Sequence, residues 1–234
     1  MPLPLPRTPH PPACSPLPPW DDLPCAPPAE AVPPGRLDRR LSGGELTLRT
    51  VQSPAAYEEL RRTGVLRGST ATATPEFTRS YAWMAHRMAQ RFGLPMPPDA
   101  SPVWAWARVS RRGLVSMLAD EPTETAVLTA RVRADRAVLS SYDAWHAVLN
   151  MHPLWPDEEW EARQSAWERR WPDHCGAGPD GSIPALMREE TESTWEGVFT
   201  LGRDWVQACL PELTANDVLT VTRCRPRPTA NPGR

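Results

Sequence analysis

The chain has 234 residues, with 30 Pro, 11 Trp, 13 Gly and 5 Cys, and 26 basic side chains, all of them Arg, against 28 acidic ones. A net charge of -2 excludes the generally basic surface that holds phosphate backbones. No run approaches the roughly 18 to 20 apolar residues of a membrane-spanning helix, so no membrane association is expected.

Prolines crowd the start, from Pro2 through Pro34, each removing a backbone donor and fixing φ. Residues 1–44 are therefore expected to form a disordered or partly polyproline II leader, and residues 45–234 one compact domain. The leader lacks the apolar core and early basic cluster of a secretory signal. Five dispersed cysteines, Cys14, Cys25, Cys175, Cys209 and Cys224, make neither a metal spacing nor an even disulfide framework, which fits a reducing cytoplasm.

In the domain, Leu46, Leu48 and Thr50 alternate with Thr47, Arg49 and Val51 in a half-buried strand ending at Gln52. A helix follows, with Ser53 as N-cap, Pro54 at its first position and Gly64 as its stop. A second helix starts near Thr74 and Pro75. It carries Phe77, Tyr81, Met84, Met88 and Phe92 on one stripe and ends at Gly93. Pro102 opens VWAWARV, in which Val103, Ala105, Ala107 and Val109 face one way and Trp104, Trp106 and Arg108 the other.

Leu128, Ala130 and Val132 mark a third strand, and Ala137 to Leu139 a short fourth one after a turn at 134–136. Ser140 or Ser141 caps a helix carrying Tyr142, Trp145 and Leu149. Pro156 begins another, with acidic residues in its first turn, Arg169 and Arg170 in its last, and Trp160, Trp167 and Trp171 on one side. A polar loop at 174–181 leads to a helical stretch from Ile183 to Phe199. Strands at Trp205–Leu210 and Val218–Cys224 close the domain. The order of elements predicts an α+β fold with a mixed or antiparallel sheet flanked by about five helices.

Several side chains admit a chemical reading beside a packing one. Trp104 and Trp106 on one strand face suit stacking of a nicotinamide or nucleobase, with Arg108 for a phosphate, and equally suit packing under a helix. His146, one turn after Asp143, suits an acid or base oriented by a carboxylate, or a structural histidine beside a capping Asp. Gln52 and Gln207 are amides in strand contexts, able to read a nicotinamide or base edge or to bridge strands. The histidines show no i, i+4 pair with a third ligand, so no metal is expected. Serine-hydrolase, P-loop and dinucleotide fingerprints do not occur.

The segments LTLRTVQSPAAYEELRRTGVLRG, YAWM, PVWAWARV, AVLSSYDAWHAVLN and WVQACLPELTANDVLTVTR, in this order, resemble the bacterial domain of unknown function 3841 family across nearly everything after residue 45. That resemblance implies a first strand near the natural N-terminus. More distantly, the strand and helix ending in Thr-Gly-Val-Leu, the long aromatic helix and the paired strands around AVLTARVRADRAVLS are similar in layout to ADP-ribosyltransferase-like folds. This second likeness implies NAD as cofactor, with Arg49 and Gln52 of the first strand as binding residues. Gln207 then stands where a Glu would act on the acceptor, and an amide neither serves as a base nor carries negative charge; Glu212 lies nearby. Two functions follow: a nucleotide-binding, NAD-using transferase with Arg49, Gln52, Trp104, Trp106 and Arg108 around one cofactor and His146, Asp143 or Gln207 as catalytic candidates; or a non-catalytic protein whose Trp-rich cleft or helical face meets a protein partner.

Overall fold

A computed structural model describes residues 17–34, 44–72, 74–93, 96–97, 99–174, 183–203 and 205–225. In chain order its strands are β1 (Cys25–Ala26), β2 (Glu45–Gln52), β3 (Val65–Leu66), β4 (Gly68–Ser69), β5 (Ala100–Ser101), β6 (Val103–Arg108), β7 (Thr125–Arg133), β8 (Val138–Ser141), β9 (Val206–Leu210), β10 (Leu213–Thr214) and β11 (Val218–Cys224). Its α-helices are α1 (Pro28–Ala31), α2 (Pro54–Thr63), α3 (Thr78–Phe92), α4 (Arg111–Ala119), α5 (Tyr142–Leu149), α6 (Trp160–Arg170) and α7 (Ala185–Thr194). The α+β expectation holds. No helix among the described residues is long and apolar enough to cross a membrane.

Seven strands form one sheet in the order β1-β11-β7-β2-β6-β9-β8, antiparallel except where β1 runs parallel to β11. Strand alternation sends its side chains to two faces. One face, with Leu46 and Leu48 of β2, Leu128 and Ala130 of β7, Ala105 of β6 and Ala208 of β9, is covered by Tyr57 and Leu60 of α2. The other face carries two packed clusters. Met84 and Met88 of α3, Trp145 and Val148 of α5 and Met187 of α7 lie over Val138 and Cys209, while Leu114 and Leu118 of α4 lie over Val127 and Cys224.

Local sequence explains the element ends. Ser53 accepts a hydrogen bond from the Ala56 N–H and starts α2, and Gly64, at φ 76°, ends it in the left-handed region that favours glycine. Ser141, rather than Ser140, caps α5 by accepting from the Ala144 N–H. Helix α4 was hidden in the sequence by Gly113, which lowers helix propensity; here a Cβ on Gly113 would fall 2.6 Å from Cη2 of Trp205, so the glycine admits the indole against the helix.

The expectation of a disordered leader fails over residues 17–34. Leu23 and Val32 are buried, Ala26 pairs with Cys224, Trp20 packs on Tyr57 with ring centroids 5.9 Å apart, and the Tyr57 hydroxyl donates to Pro18 O at 2.6 Å. Prolines do not prevent this, because the segment wraps around one sheet edge, with Leu23 on the α2 face and Ala31 and Val32 on the α4 face, where few donors are needed. Residues 1–16 and 35–43 of the leader, and all but the first residue of the expected loop at 174–181, lie outside the described residues.

Candidate functional site

Neighbouring antiparallel strands ordinarily pair along their length, but β2 and β6 pair only at Arg49↔Trp106. Beyond that rung the C-terminal end of β2 and the N-terminal end of β6 part. A side-chain relay partly replaces the missing ladder: Gln52 Nε2 donates to Thr50 Oγ1 at 2.7 Å, and Thr50 Oγ1 donates to Trp104 O at 2.7 Å. The gap is a cavity of about 470 Å³.

Its named walls come from six elements. β2 supplies Val51 and Gln52, α2 with its cap supplies Glu59 and Ser53, β4 and β5 supply Ser69 and Ser101, β6 supplies Trp104, and α3 supplies Tyr81. The β4 and β5 pair is held close by Gly68, where a Cβ would clash with Ser101 O and lie 2.6 Å from Pro102 O. Tyr81 meets Trp104 edge to face at 6.0 Å and Trp145 at 5.8 Å, and Trp104 lies 4.8 Å from Trp145. This aromatic cluster fixes the orientation of one wall. Burial, reinforced by Cys209, pushes the Tyr81 hydroxyl up, so it stays a neutral donor at physiological pH.

A second cavity of about 890 Å³ shares Glu59, Arg67, Gly68 and Ser69 with the first. Phe92, Met96 and Pro97 give it an apolar side, and Arg67, Arg133 and Arg136 a cationic one. These cations are already matched: Arg67 to Glu212 at 2.6 Å, Arg133 to Asp135, and Arg136 to Asp217 at 2.6 Å. Glu212 therefore borders this second cavity in an ion pair.

Of the residues expected around one cofactor, Gln52 and Trp104 line the first cavity, whereas Arg49, Trp106, Arg108 and Gln207 do not. β2 runs without a bulge from Glu45 to Gln52 against β7, so Arg49 and Gln52 point to opposite faces. Arg49, Trp106 and Gln207 instead form a row across β2, β6 and β9 on the face opposite α2. Trp106 packs there against Tyr142 and Trp205, and Arg108 bonds the Gly202 carbonyl. The Asp143 and His146 side chains are not bonded to each other; His146 Nδ1 lies 2.9 Å from the Tyr142 carbonyl, a contact within α5. The two amides do not bridge strands together, since Gln52 bonds Thr50 of its own strand and Gln207 Oε1 is buried without a partner.

Tyr81, Glu59, Ser69 and Ser101 were not singled out from sequence. Tyr81 reads as one more apolar position of the α3 stripe, and the only hint of another role is its hydroxyl in a row otherwise of Phe and Met. Gly68-Ser69, one residue beyond β3, is the available signal for a close backbone approach. No group of three or more His, Cys, Asp or Glu suited to a metal ion occurs among the described residues.

No curated protein and no solved structure matches the chain. The family model described as Domain of unknown function (DUF3841) matches residues 47–216, a span running from β2 through the β6 cleft to the turn before β11, and the chain belongs to that family.

Proposed function

We propose that the cavity between β2 and β6 binds the nicotinamide end of NAD and that the chain is an ADP-ribosyltransferase-like enzyme. The observation that carries this reading is the parting of the two strands beside an aromatic wall and an uncommitted amide oxygen. Gln52 spends its Nε2 on Thr50, leaving Oε1 to accept from a carboxamide N–H. Trp104 and Tyr81 give a planar ring its apolar surface, and Ser53 and Ser101 offer hydroxyls to a ribose. Gln207 has no part in this reading. Glu59, on the border of both cavities and without an ion-pair partner among the described residues, supplies the negative charge that steadies the ribosyl centre as nicotinamide leaves, and the acceptor takes the second cavity. The free thiols of Cys25, Cys209 and Cys224 support a place in a bacterial cytoplasm.

Calorimetry with NAD tests the binding step. Micromolar to millimolar affinity is expected, about -4 to -8 kcal/mol, weakened about tenfold by Gln52→Ala. Glu59→Gln should retain NAD and lose nicotinamide release. A folded chain that ignores millimolar NAD would retire this reading. It would leave a protein-binding role, which the half-exposed Trp160 on α6 and Leu186 on α7, at 50% and 51% accessibility, favour on their own account.

A further inference from the structure

On the sheet face covered by α3, α4 and α5, and outside the lining of the cavity, a cation is buried without an ion-pair partner among the described residues. Arg49 is 5% exposed, its Nε has no hydrogen-bond partner, and no ion pair reaches its guanidinium among the described residues. The residue directly opposite it on β7, Thr129, also buries a hydroxyl oxygen with no partner. Directly opposed side chains on an antiparallel pair lie about 5 Å apart at Cβ, so the two orphaned groups are neighbours. Such groups are costly to bury unless something satisfies them.

The surroundings narrow what that something is. The sheet neighbours of Arg49, namely Val51, Trp106 and Val127, all pack in the cluster built on α4, so Arg49 lies on the sheet face that this nine-residue helix covers. The charge that Arg49 feels is a second cation, Arg111, at the first position of α4; burial first, and Arg111 second, disfavour the charged guanidinium. Arg111 is itself spent on carbonyls of the N-terminal segment, Ala29 O and Val32 O. Ser110 takes only the Gly113 N–H, so the opening turn of α4 keeps partial positive charge over the same region. Two cations, a hydroxyl donor and a helix start thus lie on one side of the sheet, and neither cation has an ion-pair partner among the described residues.

We infer that Arg49 and Thr129, on the sheet face that α4 covers, form a binding site for a phosphate-class oxyanion, separate from the cavity between β2 and β6. The anion would accept from the guanidinium fork and the threonine hydroxyl, the geometry for which arginine is suited. Entry is from the side of Arg111 and Arg112, both exposed.

The test uses the full chain and inorganic phosphate at constant ionic strength, with chloride as the balancing ion. Phosphate should raise the thermal midpoint in a saturable way and bind in calorimetry. Arg49→Met should raise the midpoint without phosphate, because it removes an unbalanced buried charge, and should weaken phosphate at least tenfold. Thr129→Val, a milder change that keeps the charge, should weaken it severalfold, which covers the case in which the Arg49 variant does not fold. Gln52→Ala should leave the phosphate response intact, so this site and the nucleotide reading of the cavity fail independently. A nucleoside monophosphate that binds more tightly than phosphate would assign the site to the phosphoryl group of a larger ligand, and equal affinity would assign it to the free ion. No saturable response, or one that Arg49→Met and Thr129→Val leave unchanged, overturns the site.

Discussion

Arg136 and Asp217 form a two-pronged ion pair, Nη1 to Oδ1 at 2.6 Å and Nη2 to Oδ2 at 3.0 Å, that ties the turn between β7 and β8 to the turn before β11. Asp217 is 8% exposed and also accepts from the Thr214 N–H and hydroxyl, both at 2.8 Å. Burial pushes its carboxyl up, but the bonds from Arg136 and Thr214 outweigh burial and hold it below the usual carboxylate range. A carboxyl depressed in the folded state stabilises the fold above its unfolded pKa, about 3.9, and that stabilisation is lost as pH falls through the lower folded value. Asp217→Asn should therefore cost about 1–3 kcal/mol at neutral pH. Urea titrations across pH should show the gap to the unmodified chain closing below about pH 4; a gap that is constant with pH would mean the pair contributes through shape alone.

The segment 17–34 is part of the folded body. Removing residues 1–34 exposes the contacts of Leu23 and Val32, each worth about 1.5–3 kcal/mol on full burial, and strips β1 from the edge of β11. Stability should drop by about 3–6 kcal/mol. Denaturant midpoints of the full and shortened chains give the comparison, and equal midpoints would show the segment contributes nothing.

Gly68 sits where a methyl group would strike the backbone of Ser101 and Pro102. Backbone cannot turn aside as a side-chain tip does, so Gly68→Ala should force β4 away from β5, costing about 1–3 kcal/mol. Because both strands wall the first cavity, the variant should lose ligand affinity more than Ser53→Ala does. Parallel calorimetry on the two variants decides it.

Cys209 is buried against Ser140 at 3.7 Å, and burial pushes its thiol to about 12. Thiolate, the reactive form, is then scarce at pH 8. Alkylation mapped by mass spectrometry should leave Cys209 unmodified in the native chain and label it in denaturant, whereas native labelling would mean that the β8–β9 side of the sheet opens readily.

Much of the fold was legible locally. The alternation in Leu46–Gln52, the cap at Ser53 with Pro54, and the α3 stripe each carry their signal within a few residues. What was missed depends on distant partners. Gly113 looks like a helix breaker until Trp205 is brought against it, and the Pro-rich start looks structureless until Tyr57 and β11 offer it a surface. The site divides in the same way. Gln52 and Trp104 stand out as unusual residues for their strands, but a cavity formed by two strands parting leaves no mark in either strand. Arg49 and Gln52 were expected to share one pocket, which strand periodicity alone opposed, and the unbroken β2 register upholds the periodicity.

The single rung at Arg49↔Trp106 has a mechanical meaning. On one side of it stand β1, β11, β7 and β2, on the other β6, β9 and β8, each group laced internally by longer ladders. The sheet is thus two leaves joined by one backbone rung and by the Thr50–Trp104 side-chain bond. Widening the gap between them breaks that side-chain bond but no pairing within either leaf. The shared core under α2 holds the two leaves on one face, so a ligand in the gap exchanges the Thr50–Trp104 bond for its own contacts while the leaves stay together.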